Sequence, residues 1–352
     1  MPSILNTAAM HDMSLKQHIT DGIKTLVNGA DRRGCFLSSH PSFEIARGEW
    51  DADRVFPVTD LEAYLSCPYK FFLARLLGLS VDVRIPGDLD PATRGLIIHD
   101  ILAKFYLMRI QRTGKSGLTR GEFSESKTLM RSIVNDVFAK AVRNLSGIHP
   151  VVLLAEKKFI HTWMERFLLN EAEYFEDDPF EPYAFEIEFG RAHRDEQAHY
   201  PPLTLDSVDE QVMVGGRIDR IDVTEQDGTH YIRVIDYKTG AVDTSLSRLR
   251  EGTVLQIPLY LAAAIQSILP GSRIHDGMYY SLREMELKKY KVGKHPVTGS
   301  DWEELISRAC SQAVYAAGEI RTGDFPFPEK GCDEYCEFFH LCRFDNAENN
   351  ER

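Results

Sequence analysis

The chain is short of several things a sequence often announces itself with. Its longest apolar runs, such as "LYLAAAI", are far below the length of a membrane span. The opening "MPSILNTAAMHDMSLKQ" has no basic segment followed by a long apolar core, so no secretory signal is read there, and a cytoplasmic location is expected. There is no surplus of positive charge: 41 Lys and Arg stand against 53 Asp and Glu, a net charge of -12. That balance argues against a surface dedicated to nucleic acid, although a few local cations beside an acidic site need not show in the total. Six cysteines in a chain expected in the reducing cytosol do not read as a disulfide framework. No internal repeat and no low-complexity segment is present. A phosphate-binding loop is excluded as well, because the "GKS" at 114–116 has Arg109 where that loop needs glycine, and a helix rather than a strand precedes it.

What remains, with 43% apolar and 27% charged residues, is ordinary globular material, enough for one large domain or two smaller ones. Residues 1–56 are mixed and turn-rich, with a short helix near 14–28, and read as an N-terminal extension. The periodicity then predicts helices over "PVTDLEAYLSCPYKFFLARLLGL", capped by Thr59 or Asp60 and broken at Pro68, and over a stretch entered through Asp90 and Pro91. Two more follow at about 121–144 and 150–174. The period then shortens to that of strands: 183–190, 210–225 and 230–240, with "EQDGTH" as a hairpin turn. A helix at about 250–269, a strand at 276–284 and a helix at about 299–321 complete the order. It predicts an α/β fold, a mixed central β-sheet flanked by helices with a helical N-terminal insertion. The expected division is one domain over 57–345, mainly helical at 58–180, with its core at 181–322 and a cysteine cluster at 323–345. Residues 346–352 read as a disordered tail.

Two strands carry the chemistry. "VIDYKTG" places Asp236 and Lys238 two apart, so both project to one face while Tyr237 takes the other. "GGRIDRID" supplies Asp219 and Asp222. If the hairpin pairs about its 226–229 turn, Asp219 and Asp236 lie side by side. Two adjacent carboxylates in a sheet are costly unless a cation neutralises them, and a hard divalent ion with oxygen ligands meets that need. Solvated charges on an exposed sheet face are the competing reading. Glu188, in "FEIEFG", is a further acidic candidate. His99, among apolar neighbours in "LIIHDIL", reads by itself as a packed core histidine. Gln256 and Tyr260, four apart in "QIPLY", read by themselves as part of an amphipathic helix.

Taken together, "GLIIH" (Gly95 to His99), "GGRIDRID", "VIDYKTG" and "QIPLY" resemble, in order, the elements of the RecB-type branch of the PD-(D/E)XK nuclease superfamily. The resemblance implies a restriction-endonuclease-like core and a divalent-metal-dependent nuclease. It implies that His99, Asp219, Asp236 and the Tyr237 carbonyl hold Mg2+ or Mn2+. Lys238 is then the catalytic lysine, positioned with the DNA strand by Gln256 and Tyr260. Nothing in these motifs reads bases.

Cys67 in "LSCPYKFF" and Cys332, Cys336 and Cys342 in "CDEYCEFFHLC" resemble the AddB-type arrangement of one cysteine before the core and three after it. That pattern implies a 4Fe-4S cluster with a structural role, zinc being the alternative. The three residues between Cys332 and Cys336 are one more than is usual there, which makes Cys332 the least regular of the four. Helicase motifs are absent. The expectation is a DNA exonuclease acting on single-stranded ends in recombination or repair, working with a helicase or recombination subunit and away from membranes. A nuclease of CRISPR adaptation and a non-catalytic DNA-binding scaffold are the alternatives.

Overall fold

The computed structural model describes residues 54–79, 89–143, 148–174, 176, 178–190, 200–206, 211–292, 294–297, 299–326 and 336–338. The expected helix near 14–28, the tail at 346–352, and Cys332 and Cys342 lie outside the described residues. Among the described residues, no helix is long and apolar enough to cross a membrane.

The chain divides into two compact units. The described residues of one fall within Met1–Asp82, Leu205–Met213 and Gln312–Arg352. Here strand β1 (Val55–Pro57) leads into helix α1 (Val58–Ser66), with Cys67 opening helix α2 (Pro68–Phe71). Pro68 breaks the helix as expected, because its ring cannot continue the preceding turn. The start differs from expectation: α1 begins at Val58 behind Pro57, with no side-chain cap from Thr59 or Asp60. Tyr64, Phe71, Phe72 and Phe325 form an aromatic cluster, and the Tyr64 hydroxyl donates to the Asp324 carbonyl at 2.7 Å.

The other unit is Val83–Thr204 and Val214–Ser311. Helix α3 (Pro91–Thr113) is fixed at both ends by local chemistry. Asp90 accepts from the Thr93 N–H at 2.9 Å, Pro91 occupies the first turn, and Gly114 at φ 72° closes the helix. Ile97, Ile98, Ile101, Leu102, Phe105 and Tyr106 form its buried stripe. Helices α4 (Phe123–Val142) and α5 (Pro150–Tyr174) pack beside it, and all three share one apolar core with Phe185, Ile235, Tyr237, Met278 and Tyr280 of the sheet.

The strands are β2 (Glu181–Phe189), β3 (Leu203–Asp206), β4 (Gln211–Gln226), β5 (Thr229–Lys238), β6 (Arg273–Ser281) and β7 (Glu286–Lys289). They join β1 in a seven-stranded mixed sheet ordered β1-β4-β5-β6-β7, with β2 and β3 also pairing with β4. The β4–β5 hairpin closes through Asp227 and Gly228, both at positive φ (50° and 72°), the two-residue turn whose twist matches that of the strands. β5 and β6 are parallel, so a crossover must link them. It contains helices α6 (Leu246–Glu251) and α7 (Gln256–Ala263), two helices where the periodicity suggested one, because Gly252 at φ 71° ends the first. The last long helix, α8, is Asp301–Thr322. α7 packs close on β6 at Gly277, where a Cβ would press into Ile257, Leu261 and Trp302.

Candidate active site

The site forms where the β4–β5 ladder opens. Paired residues run from Gln226↔Thr229 to Arg220↔Ile235, and the next positions on the two strands are Asp219 and Asp236. Beyond that point the Tyr237 N–H donates to the Asp219 carboxylate at 2.8 Å instead of to a strand carbonyl. Asp219 therefore stands at the mouth of the opening, close enough for its charge to act on Asp236. Both aspartates are buried, at 6% and 5% exposure, too little for water to screen them well.

His99 reaches the same place from α3. Its Nδ1 lies 3.2 Å from Asp219 Oδ1 and 3.4 Å from Glu186 Oε1, and its Nε2 lies 3.2 Å from the Tyr237 carbonyl oxygen. Glu186 comes from β2, where the register sets it between Phe185↔Arg220 and Ile187↔Ile218, across from Asp219. His99, Glu186 and Asp219 offer donor atoms within 4.8 Å of one another. Arg217 pairs with the other Glu186 oxygen at 2.9 Å.

Lys238 sits beside this group. Its Nζ is 2.6 Å from Asp236 Oδ2 and donates to Gln256 Oε1 at 2.8 Å. Gln256 opens α7, so the crossover delivers it to the end of β5. One turn further on, Tyr260 packs edge-on to Phe189 and over Gly216, where a Cβ would meet the Tyr260 ring at 2.9 Å.

The titrations follow from this crowding. Burial and the charge of Asp219 push the Asp236 carboxyl up to about 7, against the pull of Lys238 and His99. Burial works against a charged His99, but hydrogen bonds to Asp219 and Glu186, and then their charges, outweigh it and push the imidazole up to about 10. Three carboxylates thus converge, and their nearby counter-charges are the His99 imidazole, the Lys238 ammonium and, on the far oxygen of Glu186, the Arg217 guanidinium. A divalent cation fits that donor set of oxygens and one imidazole nitrogen.

Sequence reasoning missed Glu186, having singled out Glu188 on the same strand. Alternation in "AFEIEFG" puts both glutamates off the Phe185–Ile187–Phe189 face, and nothing local chooses between them. Pairing with β4 chooses Glu186 for the place beside Asp219. Glu186 also has φ 50°, a left-handed conformation that costs a non-glycine residue about 1–3 kcal/mol and is commonest at functional sites.

Behind the site lies a buried charge network that the sequence did not reveal. Arg220 binds Asp222 through Nε at 2.5 Å and Nη2 at 2.9 Å, and its Nη1 donates to Tyr106, Glu171 and the Tyr237 hydroxyl at 2.9, 2.8 and 3.3 Å. Arg233 holds the other side of Asp222 at 3.0 Å and Asp178 at 2.7 Å. Tyr237 links this network to the site: its hydroxyl is held by Arg220 while its backbone meets His99 and Asp219.

In the first unit, Cys67 and Cys336, far apart in the chain, lie within range of each other's charge. Burial pushes the Cys67 thiol up, and the nearby Cys336 adds to the effect. Lys70 and Glu337 pair beside them at 3.3 Å.

A sequence model of the PD-(D/E)XK nuclease superfamily matches residues 56–343. The chain is 32% identical over 274 residues, 75% of its length, to an ATP-dependent helicase/deoxyribonuclease subunit from Moorella thermoacetica, covering 23% of that protein. It is 30% identical over 246 residues to the protein of the same name from Symbiobacterium thermophilum, covering 67% of this chain and 20% of that one. With the Carboxydothermus hydrogenoformans counterpart it shares 25% identity over an alignment of 378 positions, gaps included, that covers 86% of this chain and 32% of that protein. The chain thus spans from about a fifth to a third of the length of these relatives.

Proposed function

The chain belongs to the PD-(D/E)XK nuclease superfamily, and on that footing we propose that it is a divalent-metal-dependent deoxyribonuclease, an exonuclease processing single-stranded DNA ends in repair or recombination. The observation that carries this reading is the convergence of His99, Glu186 and Asp219 beside the Asp236–Lys238 pair. His99, Glu186, Asp219, Asp236 and the Tyr237 carbonyl are the groups that would hold Mg2+ or Mn2+. Such an ion, when bound, supplies Lewis acidity to a phosphate oxygen and to a water. Lys238, about one third exposed, presents an ammonium that Asp236 and Gln256 hold in place, suited to stabilising negative charge that develops on an attacked phosphate. Tyr260 keeps α7 seated on the sheet and so keeps Gln256 at Lys238.

The relatives' names join a helicase to a deoxyribonuclease, and this chain matches a fraction of their length. We take it to act in the cytoplasm alongside a helicase that delivers the strand. We further assign Cys67, Cys332, Cys336 and Cys342 to a 4Fe-4S cluster. That Cys67 and Cys336, 269 positions apart in the chain, are free thiols within range of each other's charge supports this, since a shared ion or cluster needs its cysteines in one neighbourhood.

The test uses anaerobically purified chain and end-labelled single- and double-stranded DNA, with and without Mg2+, beside Asp236→Ala and Lys238→Ala. The expected result is Mg2+-dependent loss of label from single strands that both substitutions abolish. Cleavage without metal, or cleavage surviving both substitutions, overturns the mechanism. Iron and sulfide analysis tests the cluster: stoichiometric zinc with no iron overturns it.

A further inference from the structure

A groove of about 670 Å³ runs between α4 and α5, lined by Arg131 and Asn135 from the first helix and Leu154, Lys157, Lys158, His161, Thr162 and Glu165 from the second. Three permanent cations face one carboxylate here. That carboxylate is already engaged: Glu165 pairs with Lys127 and, at 3.6 Å, with Arg131. Among the described residues, no carboxylate pairs with Lys157 or Lys158. The field of these cations is felt inside the groove, where burial and then the charges of Lys157 and Arg131 hold the His161 imidazole below its usual value. Neutral hydrogen-bonding groups complete the lining: His161 Nε2 lies 3.3 Å from Asn135 Oδ1, and Thr162 adds a hydroxyl. Leu154 is 70% exposed on the same rim.

A chain with net charge -12 repels a polyanion at long range, so it binds one only where cations are concentrated. Lysine and arginine with amide and hydroxyl donors make up the set that meets phosphate oxygens. From Leu154 to Glu165 the groove follows α5 for roughly 16 Å, at ~1.5 Å per residue. That is room for several successive phosphates, not for a single small anion. We propose that the α4–α5 groove binds the phosphodiester backbone of single-stranded DNA, as a contact region separate from the residues of the candidate active site. The identity of the polyanion rests on the nuclease reading; the existence of an anion-binding groove does not.

The test measures binding of a labelled oligothymidylate to the full chain in EDTA, across a KCl series, for the parent and for Arg131→Ala/Lys157→Ala/Lys158→Ala. Hydrolysis of bis(p-nitrophenyl) phosphate with Mn2+, a substrate too small to need the groove, is measured alongside. The expected result is at least tenfold weaker binding in the triple variant. The slope of log K against log salt should also fall by about two, at ~0.7 per lost phosphate contact. Hydrolysis of the small substrate should be unchanged. A Lys157→Arg/Lys158→Arg variant should bind like the parent, showing that charge rather than packing matters. Unchanged affinity and slope in the triple variant overturn the proposal, as does failure of the parent to bind the oligonucleotide. Competition by polyglutamate as strong as by oligothymidylate overturns the nucleic-acid assignment in favour of an acidic polypeptide. Groove-dependent binding without hydrolysis of the small substrate upholds the groove and counts against the nuclease reading.

Discussion

Replacing Arg220 by methionine tests the buried network behind the active site. The Arg220 side chain has no exposure and makes contacts to Asp222, Glu171, Tyr106 and the Tyr237 hydroxyl. Methionine fills much of the space but none of these contacts. Asp222 keeps Arg233 at 3.0 Å, so its charge stays compensated. Glu171 keeps the Tyr106 hydroxyl and loses its cation, leaving a nearly buried carboxylate without compensation. Removing one partner of a buried pair costs about 3–5 kcal/mol, a fifth or more of the ~5–15 kcal/mol that holds a typical protein together. Urea unfolding followed by circular dichroism should show that loss. Adding Glu171→Leu removes the stranded charge, and exchange of a buried pair for apolar residues is often neutral. The double variant should therefore recover at least about half of the deficit. An Arg220→Met protein within about 1 kcal/mol of the parent, or a double variant less stable than the single one, refutes the reasoning.

Gly277→Ala should lower stability by about 1–3 kcal/mol in the same assay, because the added methyl group presses into Ile257 and approaches Leu261 at 3.0 Å and Trp302 at 3.2 Å. Asp178 should make the fold acid-sensitive. Burial raises its pKa, but the hydrogen bond and charge of Arg233, with the Phe180 N–H, hold it below the usual value. A lowered folded-state pKa contributes stability above the unfolded value near 3.8 and loses it as the pH falls through the folded value. Asp178→Asn should thus be less stable than the parent by about 1–3 kcal/mol at neutral pH and approach it in urea titrations below pH 3.8. Glu186→Gly should shrink the rise in Tm produced by Mn2+, since a ligand is lost while φ 50° suits glycine. An undiminished Mn2+ shift removes Glu186 from the ligand set.

Local spacing made part of this molecule readable in advance. Asp236 and Lys238 share a face because strands repeat every two residues, and they meet at 2.6 Å. Asp90 and Pro91 open α3, and Asp227-Gly228 closes the hairpin that brings Asp219 toward Asp236, since caps and turns depend on a few adjacent residues. The selection of Glu186 over Glu188 depended instead on the register of β2 against β4. The partners of Arg220 lie on α3, α5, β4 and β5, up to 114 residues away in the chain. The split between α6 and α7 and the short strands β3 and β7 likewise escaped a reading by periodicity. Such features arise when separate elements dock, and the burial and pairing that select them are properties of the assembled fold rather than of any single stretch of chain.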